Sequence, residues 1–229
     1  SMKNFMYADL TYNEIKKHVG LYDRRVLEEA NEDLDILSEV LEDCGVVVHR
    51  PERQLSHLRI QTPKWRTTGW HNYCPRDIFL VLGNNIVEVP SVMRSRIFET
   101  WSYNKILRKA FDDGAAWFSA PKQIIEDTSF DFSDLSKSTL MNNEILFDAP
   151  NVIRIDNDLI FQISNSGNEK GAEWLQRMFP EYNVHIERDA YSGAHFDSTI
   201  IPLRKGLVLL NGLRCNQNNY PKFFKDWEK

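Results

Sequence analysis

The sequence contains no apolar run long enough to cross a bilayer, no basic stripe, no cysteine framework and no charged-then-apolar leader. Its longest apolar runs, Ile78 to Leu82 and Leu207 to Leu210, fall far short of the ~18 residues a spanning helix needs and read as buried strands. Lys and Arg number 28 against 33 Asp and Glu, a net charge of −5 spread along the chain. Without a concentrated positive face to neutralise phosphates, nucleic acid is an unsuitable partner. The three cysteines, Cys44, Cys74 and Cys215, are odd in number and lack C-x-x-C spacing, which excludes a disulfide framework and a zinc knuckle and leaves reduced thiols. Ser1-Met2 reads as a cloning scar before a start methionine, and with no leader behind it a cytoplasmic location is expected. No cofactor is called for.

What is present is a globular composition, 42% hydrophobic over 229 residues, enough for a real core. Leu27, Ala30, Leu34, Leu37, Val40 and Leu41 recur at helical spacing across residues 24–44, with Gly45 as the stop, and predict an amphipathic helix. Val46-Val47-Val48-His49, ending at Pro51, reads as a strand entering the core. Ile78 to Leu82 and Ile86 to Val89 flank Gly83-Asn84-Asn85 and predict a hairpin, and the spacing of Ile97, Trp101, Ile106, Leu107 and Phe111 predicts a helix over 94–111 closed by Gly114. Residues 126–138, rich in Asp and Ser, read as a surface loop. The same grammar then returns: Ile145 to Phe147, Val152 to Ile155, a turn at Asp156 to Asp158, Leu159 to Ile163, a helix over 169–179 and a strand at Val184 to Ile186. A third pair, Ser198 to Leu203 and Leu207 to Leu210, follows, with nothing expected to complete it. Strand pairs each followed by one helix predict an α/β repeat of ββαβ type.

Three segments carry side chains suited to chemistry. Cys74-Pro75-Arg76-Asp77 sits just before an apolar strand, placing Asp77 at the mouth of a sheet, where it either meets a ligand or simply caps a loop or pairs with Arg76. His195 and Asp197, two apart, fall on one side of an extended segment and suit a shared substrate. A structural histidine is equally consistent, and spacing indicates no third residue for a metal. Asp148, between Phe147 and Pro150, suits a partly buried carboxylate held by backbone N–H groups or a histidine, or else an Asx-turn.

Taken together, Cys74 to Asp77, Gly83 to Pro90 with Arg94-Ser95-Arg96 and Glu99, Phe147-Asp148-Ala149, Gly171 to Leu175, Val184-His185 and His195 to Thr199 resemble, in order and separation, the glycine and inosamine-phosphate amidinotransferases. The resemblance covers nearly all of the chain from Cys74 onward. It implies a pentein propeller of five ββαβ units around an axial site, with residues 1–229 forming one domain of about three units, truncated at its C-terminus. Asp148 and His195 match the family's catalytic aspartate and histidine, Asp77 and Asp197 its guanidinium-binding carboxylates, and Arg214 the arginine that meets the substrate carboxylate.

The implied activity is transfer of an amidino group from arginine or a similar guanidine to an amine through a cysteine thiolate. That cysteine belongs to a G-x-x-H-C-type segment near the family's C-terminus and is absent from this sequence; Cys44, Cys74 and Cys215 do not occupy its place. The alternatives are a related guanidine hydrolase or deiminase, or a non-catalytic or split-enzyme subunit that binds guanidines. Small-molecule partners are implied, together with further copies of the chain or a complementary C-terminal polypeptide to cover open strand edges.

Overall fold

The computed structural model describes residues 10–17, 20, 22–53, 59–69, 73–216 and 218–228. Two N-terminal helices, the short α1 (Tyr12–Lys17) and the long α2 (Arg24–Asp43), precede a two-stranded ribbon of β1 (Arg59–Gln61) and β2 (Arg66–Thr68). Two complete ββαβ units follow. In the first, a single helical turn α3 (Pro75–Ile78) leads into β3 (Phe79–Leu82), β4 (Asn85–Glu88), α4 (Asn104–Asp112) and β5 (Ala116–Ser119). In the second, the strands are β6 (Val152–Ile155), β7 (Asp158–Gln162) and β8 (Asn183–Glu187), with α5 (Glu169–Met178) before the last. Each unit forms a three-stranded sheet, antiparallel at its hairpin and parallel at its third strand.

The third hairpin, β9 (Ile200–Arg204) and β10 (Leu207–Leu210), is not left bare as its sequence suggests. The chain makes one 3-10 turn at Lys222–Phe224 and returns so that Glu228 bridges Leu207 in parallel. Val208 N–H donates to Glu228 and Glu228 N–H to Gly206, so a reduced ββαβ pattern recurs, with a 3-10 turn in the place of a helix.

Period-two alternation along β6 and β7 sets the layering. Val152, Leu159 and Phe161 face a core shared with Leu80, Leu82, Val87 and α5, whereas Ile153 and Ile160 face a second core with Phe196, Ile200, Val208 and Phe224. The central sheet is therefore buried on both faces and holds its neighbours to either side. Asn168 caps α5 by accepting from Gly171 N–H at 3.0 Å, the usual way an orphan helix donor is satisfied. Its amide nitrogen also donates to Met141 and Glu144 carbonyls, and its oxygen accepts from Leu146 N–H at 3.3 Å.

Three expected elements come out differently, and a fourth forms but is not covered. Val46 to Val48 has no strand beside it among the described residues and is irregular. The helix expected over 94–111 is broken into 3-10 turns at Arg94–Arg96 and Glu99–Tyr103 before α4 begins; 3-10 geometry eclipses side chains three apart, which suits the Arg96–Glu99 pair described below. Ile145 to Phe147 makes one bridge, Phe147 to Gly167, in place of a ladder, because the Asn168 side chain takes Leu146 N–H and Pro150 follows. α2 forms as expected, yet none of its residues is buried, and its apolar positions Ile36, Leu37 and Val40 stay more than half exposed.

A Cβ added at Gly171 would stand 2.9 Å from the Phe147 ring and 3.0 Å from the Leu146 carbonyl. Gly171→Ala is expected to lower stability by about 1–3 kcal/mol through overpacking. Thermal unfolding checks this, and an unchanged midpoint would show that α5 does not depend on that close approach.

Candidate functional site

The site is assembled where the ends of the three units meet. Pro75 at the first turn of α3, its missing N–H costing nothing there, starts a helix too short to do more than turn Arg76 and Asp77 in different directions. Arg76 donates to the Val152 carbonyl at 2.9 Å and stands 3.8 Å from Asp197. Asp77 is buried, with Oδ2 2.6 Å from Arg96 Nη1 and Oδ1 3.8 Å from His195 Nδ1. The two neighbours do not pair with each other, and Asp77 does not cap a loop.

Behind Asp77 lies a buried charge cluster. Arg96, 4% exposed, donates through Nε and Nη2 to Glu99 at 2.6 and 2.9 Å, the two-pronged geometry a guanidinium favours. Glu99 is fully buried. Burial opposes the Arg96 charge, but Glu99, Asp148 and Asp77 outweigh it and hold the guanidinium firmly protonated. Burial likewise pushes the Glu99 carboxyl up, against the pull of Arg96.

Asp148 is buried at the start of a 3-10 turn, Ala149–Asn151. Its Oδ1 accepts from Val92 N–H at 3.2 Å, and its Oδ2 faces His195 Nε2 at 3.5 Å with no hydrogen bond of its own among the described residues. That distance is an ion-pair contact at the outer edge of hydrogen bonding. His195 is not on an extended segment, as its spacing from Asp197 suggests: it has φ 63° and precedes the 3-10 turn Phe196–Ser198. A left-handed backbone at a residue other than glycine costs on the order of 1–3 kcal/mol and collects at functional sites. Ser91 is a second such residue at φ 56°, directly before the Val92 amide that serves Asp148.

Burial alone would lower the His195 pKa, but Asp148, then Asp77 and Asp197, raise it above its ordinary 6.5. Burial raises the Asp197 carboxyl, with Arg76 and His195 pulling the other way. Arg214 sits at the margin. It stacks over Tyr191 at 4.7 Å and donates to Ser198 Oγ at 2.8 Å, and that hydroxyl in turn donates to the His195 carbonyl at 2.6 Å. Four carboxylates, Asp77, Glu99, Asp148 and Asp197, thus surround two guanidiniums, Arg76 and Arg96. Carboxyl groups therefore outnumber guanidiniums around His195. Among the described residues no set of three or more His, Cys, Asp or Glu is placed to hold a metal.

The sequence places Asp77, Asp148 and the His195–Asp197 pair in three separate segments, and the fold brings them together; Arg214 joins through Ser198. Sequence reasoning misses Ser166, a fully buried serine whose signal is only its place in the polar run Ser164-Asn165-Ser166 between apolar elements. It also leaves Arg96 and Glu99 without a role. No cysteine is activated here. Cys74 borders the cluster, but burial and the Asp77 charge push its thiol up, the reverse of what a nucleophile needs. Cys44 is exposed at the end of α2, and Cys215 is buried in the third unit's core.

Arg96→Met would leave Asp77 and Glu99 buried without a counter-ion and is expected to cost about 3–5 kcal/mol, measured by denaturant unfolding; unchanged stability would refute the clamp. Because the folded-state pKa of His195 is raised, its contribution to stability is complete below about pH 6.5 and is lost as pH rises through the folded value. His195→Gln should remove that part of the pH dependence, and an identical pH–stability profile would contradict the ion-pair assignment.

No protein-family model matches the chain. The chain is similar to the inosamine-phosphate amidinotransferase 1 of Streptomyces glaucescens, 42% identical over 97% of this chain and 64% of that protein. It is also similar to the L-arginine:L-lysine amidinotransferase of Pseudomonas savastanoi pv. phaseolicola, 36% identical over 87% and 57%. The solved structure of the Streptomyces griseus inosamine-phosphate amidinotransferase superposes with a TM-score of 0.92 at 42% identity, covering 97% of this chain and 64% of that one. The chain thus spans about three-fifths of the length of the relatives it matches.

Proposed function

Because the chain belongs to the amidinotransferase family, we propose that its cleft binds the guanidinium of arginine or a close analogue and takes part in moving the amidino group to an amine. The observation that carries this reading is the convergence of three carboxyl groups, Asp77, Asp148 and Asp197, on His195.

A guanidinium carbon is a weak electrophile because its charge is delocalised. Planar carboxylate contacts that fix it in place, and a nearby acid, are what a protein can supply. In the proposed cycle Asp77 Oδ1 and Asp197 hold the group, and a thiolate from outside residues 1–229 attacks the carbon. As the carbon–nitrogen bond breaks, His195 gives its proton to the departing amine, leaving an S-amidino thioether. His195 then removes a proton from the incoming amine as its nitrogen attacks, and the thiolate leaves. Asp148 orients the ring and favours the imidazolium. Arg214 meets the carboxylate of the donor. The named relatives carry different second amines, an inosamine phosphate in one and lysine in another, so the acceptor is set by parts of the site other than this carboxylate–histidine centre.

Calorimetric titration with L-arginine tests the binding step: Asp197→Asn is expected to weaken affinity about tenfold or more, as loss of one desolvated ion pair does. Absence of arginine binding to the unaltered chain, or affinity indifferent to Asp197→Asn, would sink the assignment. Turnover with amidino-labelled arginine and a set of amines tests transfer. Labelled guanidino-amine with ornithine supports it, and citrulline or urea alone points to a hydrolase. A second reading, guanidine binding without transfer, is favoured by the raised Cys74 thiol and would be supported by arginine binding with no turnover.

A further inference from the structure

Ser166 touches the backbone of both members of the acid–base pair, Asp148 through its own carbonyl and His195 through its hydroxyl. Its carbonyl accepts from Asp148 N–H at 2.8 Å, and its Oγ accepts from His195 N–H at 2.9 Å. A serine hydroxyl has one proton and two acceptor lone pairs. That proton is committed to Asn151 Oδ1 at 2.9 Å, which turns the lone pairs toward His195. Asn151 is in turn fixed: its amide donates to the Gln162 carbonyl and to Ser164 Oγ, both at 2.8 Å, and its own backbone N–H closes the turn on the Asp148 carbonyl at 3.1 Å. The whole group is buried, and a Cβ at Gly167 would run into the Asn151 amide at 2.3 Å, so no looser arrangement of this corner is available.

His195 needs such an anchor. Its left-handed backbone is held at the carbonyl by Ser198 and at the N–H by Ser166. Release of the N–H would let φ return to the favoured region and swing the ring away from Asp148. We propose that Ser166 is a positioning residue that sets the separation and orientation of the His195 imidazole and the Asp148 carboxylate. It touches neither substrate nor reacting atoms. Its role presupposes that His195 is the acid–base group of the proposed site, yet it can be read on the imidazole alone, independent of turnover.

The groups facing that imidazole are Asp148, Asp77 and, on its own turn, Asp197. In Ser166→Ala the ring should drift from Asp148, and NMR titration of His195 in the 229-residue chain should show its midpoint fall by about half a unit or more as carboxylate contact is lost. Ser129→Ala removes a buried hydroxyl that bonds Glu144 and no member of this network, and its His195 midpoint should stay unchanged. A Ser166→Ala protein that folds and titrates like the unaltered one overturns the proposal, as does an equal shift in Ser129→Ala. If Ser166→Ala does not fold, amide exchange in the unaltered chain decides: strong protection of the His195 N–H supports the anchor, and exchange at the rate of an open loop amide contradicts it.

Discussion

The guanidinium of Arg96 is the contact on which the candidate site leans. Two of its nitrogens are taken by Glu99 and a third meets Asp77, so one buried cation binds an internal carboxylate to the one that faces the cleft. Taking these charges out of water is costly unless every one is paired and hydrogen-bonded. Glu99 answers the Arg96 charge from within. Asp77 therefore keeps one oxygen turned to His195 and open to a cation, where a simple Asp–Arg pair would have spent its charge internally.

The repeat supplies the walls around this cluster. The first unit presents Asp77 from α3, the approach to β6 presents Asp148, and the turn before β9 presents His195 and Asp197. Arg76, reaching the Val152 carbonyl and Asp197, ties all three together. The central sheet, buried on both faces, fixes the spacing, because β6 and β7 cannot shift by a residue without exchanging the contents of both cores. Left-handed backbone occurs at the site, at Ser91 before the amide that serves Asp148 and at His195 itself, and also away from it, at Ile125 and Asp156.

Much of the secondary structure was legible from periodicity, since α5 and the three hairpins are written in local spacing and in turn residues such as Gly83 and Gly206, which sit at positive φ. The breaks were not. The 3-10 turns around Arg96 and the missing ladder at Ile145 to Phe147 are imposed by side chains far away in sequence, Asp77 in one case and Asn168 in the other. For the site, the residues Asp77, Asp148, His195 and Asp197 could be picked out as a family pattern, but their partners could not. The pairing of Asp77 with Arg96 and of Arg76 with Asp197, and the anchoring of His195 by Ser166, depend on tertiary placement that no spacing encodes. The exposed apolar side of α2 shows the converse: its pattern predicts burial, and the described residues do not cover it.

Recognition of a guanidinium's charge, as proposed above, would separate this cleft from a pocket that selects only shape. Competition between L-arginine and L-citrulline, its neutral near-isostere, measures that directly. Arginine is expected to bind, and citrulline, lacking the cation, to fail to displace it at comparable concentration. Equal affinity for the two would contradict it.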